Sequence, residues 1–242
     1  MNYLKSSSAL KADARAKLLG KYQTAVSAYV LMDLILSGCL TLLELTVNLE
    51  TPSGLLIYYA ANFIIVLLSA IFVVGQNHLY LNIFRDKEFR CGDIFIGFHT
   101  CADRALFAYL LILLKSVLCA IPCAVAAAAM IVTENYYLSL AVAAGAVFML
   151  ISVTLIQLDY SQVLYLVLDY PDETPTQLLA HSKRLMKGHR GSYFYLIVSF
   201  AGVFCLGLMT FGLGMLWIHP YFTATKTGYY LELLQKENTK SE

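Results

Sequence analysis

The sequence predicts an all-α polytopic transmembrane helical bundle of six spans, with five as the alternative, in which a short interfacial amphipathic helix precedes each hairpin. Three observations predict it. Of 242 residues, 59% are hydrophobic and 14% charged, which is more apolar surface than one soluble core would hide. The apolar runs exceed the roughly 20 residues that cross a bilayer. Fifteen of the seventeen basic residues fall in four clusters, so that a basic connection alternates with one lacking Lys and Arg. Under the positive-inside rule the basic connections are cytoplasmic, and a six-span chain has both ends inside.

The first amphipathic segment places Leu10, Ala14 and Leu18 on one stripe, Lys11, Arg15 and Lys17 off it, and Gly20 as terminator. It reads as an interfacial helix before a full-length span, not as a cleavable signal. Span one covers residues 22–47, and a short acidic turn at 48–54 leads to span two at 55–84. The second connection holds Arg85, Lys87, Arg90 and Arg104 and a less regular amphipathic segment, 91–104, with Ile94, Phe95, Phe98 and Cys101. Span three, 105–133, passes through Glu134, Asn135 and Tyr136, without a base, to span four at 137–168. Small residues at 124–129 and at Ala141, Ala143, Ala144 and Gly145 suit close approach of these two helices. Pro122 should bend span three.

The third amphipathic segment is the clearest. Thr174 caps it, Pro175 takes the first helical position, and Gly188 ends it; Leu178, Ser182, Leu185 and Met186 recur at helical spacing opposite His181, Lys183, Arg184 and Lys187. Residues 192–218 then form either one long span or a hairpin arm turning at 210–214, where Gly212 and Gly214 free the backbone. In the hairpin reading 215–234 is a sixth span ending at Lys236 and Lys240, interrupted by His219, Pro220 and Lys226; in the five-span reading it is an interfacial tail. Six spans divide the single domain, 1–242, into three helix-plus-hairpin units, 8–84, 91–168 and 174–234. In that scheme the three short helices form a collar with their apolar faces in the lipid and their basic faces on anionic headgroups.

Several stretches carry a resemblance: Asp169-Tyr170-Pro171, the run from Ser182 to His189, Thr210-Phe211-Gly212-Leu213-Gly214, Leu216-Trp217, His219-Pro220-Tyr221 and Tyr229-Tyr230, with Gly97-Phe98 and Ile121-Pro122 fitting more loosely. Together they resemble the integral membrane family called domain of unknown function 975, common in Gram-positive bacteria. The resemblance implies a multispan protein of the bacterial plasma membrane and brings no established activity, cofactor or catalytic residue.

Ionisable residues inside spans are costly enough to be read first as functional or paired. At about 1.5 Å per residue, Asp33, Lys115 and Lys226 all come out near midplane. Either Asp33 pairs with one of the two lysines, or each lysine snorkels along its own stem. A second group sits nearer the inner boundary: Gln76, Asn77 and His78 on span two, and Gln157, Asp159, Ser161 and Gln162 on span four. Gln76 and Asp159 fall at one depth, where they either face each other across a wet vestibule or simply emerge among headgroups.

No metal-binding, nucleotide-binding or nucleophile motif is present, and the six cysteines include no Cys-x-x-Cys pair. The expectation is a non-enzymatic chain without catalytic residues, cofactor or metal. The net charge of +1 and the position of each basic cluster beside a span favour membrane lipids over nucleic acid as partners. The intramembrane polar set favours a role in moving, or helping to move, a small molecule, lipid or peptide. The alternative is an accessory subunit that docks a protein partner or another copy, or senses lipid.

Overall fold

A computed structural model of the chain describes residues 5–133 and 139–241. The expected connection at Glu134, Asn135 and Tyr136 lies outside the described residues. Regular structure among them is wholly helical: α1 (Ser7–Leu18), α2 (Tyr22–Thr46), α3 (Pro52–Phe84), a 3-10 turn (Cys91–Phe95), α4 (Ile96–Thr100), α5 (Ala102–Thr133), α6 (Ser139–Asp159), α7 (Val163–Asp169), α8 (Pro175–Met186), α9 (Arg190–Val198), α10 (Ala201–Met209) and α11 (Met215–Ser241). Five segments are long and apolar enough to cross a membrane: Tyr22–Thr46, Pro52–Phe84, Ala102–Thr133, Ser139–Asp169 and Arg190–Met209. The chain is therefore a multispan membrane protein.

The turn expected at 210–214 is present. Phe211 and Gly212 take positive φ, and the Thr210 hydroxyl oxygen accepts from the Gly214 N–H at 2.8 Å. The chain thus folds back, and α11 packs on α10. Long enough to cross, α11 carries His219, Lys226 and Glu232, which keeps it outside the strongly apolar set.

Local signals act where the sequence places them. Thr174 and Gln177 form a reciprocal capping box at α8, with Pro175 in the first turn, and Thr51 caps α3 by accepting from Gly54 N–H at 3.1 Å. Gly20 and Gly188, at φ +76° and +81°, follow the ends of α1 and α8. α5 stays helical through Pro122. It lies so close to α6 that a Cβ on Gly145 would stand 3.0 Å from the Cys123 Cα, the use expected of the small residues.

The collar requires correction. The apolar stripes of α1 and α8 do not face lipid: Leu10, Ala14 and Leu18 of α1 and Leu178 and Met186 of α8 are all fully or almost fully buried against the bundle, whereas the middle segment buries Ile94 and Cys101 and leaves Phe95 and Phe98 exposed. Leu10 packs with Tyr229 and Leu233 of α11, and Leu178 with Ala105, Leu166 and Tyr230. A short amphipathic helix with a protein groove available buries its stripe there, where side chains interlock, and leaves only its polar face outward.

Packing is uneven along the bundle. In α3 the second half, including Ile71, Val74, Leu79, Tyr80 and Ile83, is buried, whereas Leu56, Ile57 and Tyr59 in the first half are exposed. In α5, Ala105, Ala108 and Ile112 are buried, yet Ile131 and Val132 are 72% and 82% exposed. The tight end carries the basic clusters and is called the basic end here; at the far end the hairpins present apolar side chains outward. Such surface needs no protein partner in a bilayer, because acyl chains are as apolar as leucine.

Candidate functional site

Asp33 is exposed on α2, and among the described residues no ion pair joins it to Lys115 or Lys226. The pairing expected for it is not present, because each lysine points elsewhere. Lys115 donates to the Tyr160 hydroxyl at 2.7 Å and lies 4.4 Å from the centre of that ring. Tyr160 follows α6 at the basic end, so Lys115 snorkels toward that end. Lys226 lies over the Phe222 ring, 4.8 Å from its centre, one turn toward the start of its own helix.

Gln76 and Asp159 neither line a shared vestibule nor emerge into solvent. Gln76 is 3% exposed and its Nε2 lacks a hydrogen-bond partner among the described residues. Asp159 is engaged by Arg190, which approaches through Nε and donates from Nη2 at 2.8 Å. The Asp159 backbone carbonyl accepts from the Ser182 hydroxyl at 2.7 Å. One residue thereby ties the end of α6 to the second half of α8 and the start of α9. His78 lies half-buried against Asn82, one turn on.

Two clusters at the basic end escape the sequence signals. Arg85 forks onto Asp169, with Nη1 to Oδ1 at 2.9 Å and Nη2 to Oδ2 at 2.7 Å, and the Tyr230 hydroxyl donates to Oδ2 at 2.9 Å. This joins α3, α7 and α11. The second cluster corrects the expected polar face of α8: His181 is 4% exposed, with Nδ1 2.9 Å from Glu173 and Nε2 3.1 Å from Glu237. Both ring nitrogens face carboxylates, so the imidazole is a clamp between the α7–α8 connection and α11. Outside the spans, Lys17 at 2.5 Å, aided by Lys21, holds the Asp86 carboxyl below the usual range.

The intramembrane polar residues that do converge lie at a different place. Gln157 and Ser161, from the end of α6 and the turn after it, share a cleft of about 430 Å³ with Tyr193 of α9 and Lys226 of α11. Leu158, Ile197 and Phe222 supply much of its apolar wall. The volume falls in the range of small-molecule sites, and the lining has their usual character, mainly apolar with a few convergent polar groups. Sequence depth alone puts Lys226 near midplane and Gln157 near the inner boundary; their meeting shows that Lys226 sits closer to the basic end.

A family model described as Protein of unknown function (DUF975) matches residues 1–237. No curated protein and no solved structure matches the chain. The match takes in both the basic-end body and all five strongly apolar segments, so the chain belongs to the DUF975 family.

Proposed function

We propose that this chain is a non-enzymatic protein of the bacterial cytoplasmic membrane that takes up a lipid-like amphiphile from the bilayer and helps move it. The observation that carries the reading is the cleft between α6, α9 and α11, which sets a polar row of Gln157, Ser161 and Lys226 beside an apolar wall. Soluble cargo would need a wet conduit, whereas the buried polar residues at the basic end are tied into Arg–Asp and His–Glu contacts that brace the body. An amphiphile needs only a sideways groove with both kinds of lining. The gathering of basic clusters at one end supports an orientation with both ends cytoplasmic, α11 being the sixth crossing.

The test is reconstitution of the full chain in vesicles carrying a fluorescent phospholipid whose inner and outer copies are distinguished by a membrane-impermeant quencher. Exchange between leaflets is expected to be faster than in protein-free vesicles, and to fall when Ser161→Trp fills the cleft. No acceleration, together with a stoichiometric protein partner on native purification, would instead favour an accessory subunit. A cysteine at Leu234 should be labelled from the cytoplasmic side only; labelling from outside would remove the sixth crossing.

A further inference from the structure

We infer that the α6–α9–α11 cleft is a binding site for an anionic amphiphile, with Lys226 taking the phosphate or carboxylate headgroup and the apolar wall taking the first part of an acyl chain. The inference rests on the reading of this cleft as the amphiphile groove and deepens it by naming the charge of the ligand.

Charge complementarity is the first argument. Lys226 lines the cleft, and among the described residues neither an ion pair nor a hydrogen bond engages its ammonium, which lies 4.8 Å from the centre of the Phe222 ring. No carboxylate lines the cleft. Asp159, at the end of the same stretch of α6, is already held by Arg190. What remains around the lysine is neutral: the Gln157 amide, which can donate, the Tyr193 hydroxyl, and the Ser161 hydroxyl, which itself donates to the Leu158 carbonyl at 2.9 Å. One cation, a neutral amide and no resident anion make a site that a neutral or cationic headgroup would leave unsatisfied and an anion would complete.

Direction is the second argument. Side chains on a helix lean toward its N-terminus. α11 runs toward the basic end, so Lys226 leans away from it, over Phe222, whereas Lys115 on α5 leans toward that end and donates to Tyr160. A cation held in apolar surroundings is expensive unless paired. The partner must therefore come from the membrane side, where Ile197 and the half-exposed Phe194 continue the apolar wall and an acyl chain would follow them.

The purified full chain in phosphatidylcholine nanodiscs should be doped in turn with photoactivatable phosphatidylglycerol, palmitate or phosphatidylcholine, and adducts mapped by peptide mass spectrometry. The anionic probes are expected to label the α6, α9 and α11 peptides, and Lys226→Met to lower that labelling about tenfold, the scale of one charge-assisted hydrogen bond. Lys226→Arg should keep it. Phosphatidylcholine labelling elsewhere on the bundle should be equal in all three proteins, which confirms that the variants are folded. Stronger labelling by phosphatidylglycerol assigns the headgroup to a bilayer lipid, and stronger labelling by palmitate to a free fatty acid. Equal labelling of the cleft by neutral and anionic probes, or no drop in Lys226→Met, overturns the inference. Leaflet exchange that persists without charge-selective labelling would remove the anion site and leave the amphiphile reading; selective labelling without exchange would do the reverse.

Discussion

Replacing Gly97 with alanine tests whether the tight end of the bundle is held by backbone packing. A Cβ at this position in α4 would stand 2.6 Å from the Ile71 carbonyl oxygen and 2.9 Å from its Cγ2, where ordinary contact begins at 3.4 Å. Clearing the carbonyl takes about 0.8 Å, the difference between 3.4 and 2.6 Å, and the obstacle is the backbone of α3, which cannot rotate aside. Overpacking of this kind costs about 1–3 kcal/mol. The better helix propensity of alanine returns up to about 1 kcal/mol. The net expectation is a loss of about 1–2 kcal/mol, or roughly 2–8 °C in the melting temperature of the detergent-solubilised protein. Cys101, 2% exposed and one turn on, should also be alkylated faster. Gly38→Ala is the control: no heavy atom lies within 4 Å of its built Cβ, so propensity alone acts and stability should rise by up to about 1 kcal/mol. Equal shifts for the two variants would refute the argument, since it is the surroundings, not the chemical change, that differ.

Gly75→Ala should be more damaging than Gly97→Ala, because its Cβ would run into the Ile94 carbonyl and stand 2.7 Å from the Ile94 Cα; a milder melting shift than that of Gly97→Ala would contradict this. In a double-mutant cycle of Asp159→Asn and Arg190→Gln, melting in detergent should give a coupling of about 1 kcal/mol, at the low end for a buried pair because the Arg190 side chain is 40% exposed; strictly additive effects would show that the pair ties nothing together. Arg85→Lys should lose about 1 kcal/mol, since an ammonium keeps the charge on Asp169 but not the two-pronged geometry, and an unchanged melting temperature would count against the fork. The Asp86 carboxyl is held low by Lys17, so its contribution is present above the usual carboxylate range and is lost as pH falls through the depressed value; hydrogen exchange around residue 86 should rise below about pH 4, and Asp86→Asn, which also tolerates the local φ of +53°, should remove that step.

Much of the architecture could be read from the chain because the signals were local. Thr174, Pro175 and Gly188 bracket α8 by capping and backbone freedom, and Gly212 turns the last hairpin, each through interactions spanning a few residues. The long apolar runs needed no partner to be recognised. What stayed hidden depended on which helix packed against which. The stripe of α1 has the same appearance whether lipid or α11 covers it, and only the tertiary arrangement brings Tyr229 and Leu233 over Leu10. His181 sits among Lys183 and Arg184 in sequence and reads as part of a polar face, yet Glu237, from the far end of the chain, draws it inward.

The candidate site shows the same division, with helix direction as the missing term. Counting residues from a span boundary gives the depth of a Cα but not that of a charge, and a lysine stem shifts its ammonium toward the helix N-terminus. α5 begins at the basic end, so Lys115 is carried back to Tyr160 and becomes an ordinary snorkelling residue. α11 ends there, so the same chemistry carries Lys226 away from the polar boundary and leaves it over Phe222 in a cleft without a carboxylate. Two lysines assigned similar depths therefore have opposite fates, and Asp33, counted as their counter-ion, faces outward on α2. Helix direction separates the odd and even members of a series of spans in this respect: a basic stem is carried toward the side of the membrane at which its helix starts and away from the side at which it ends.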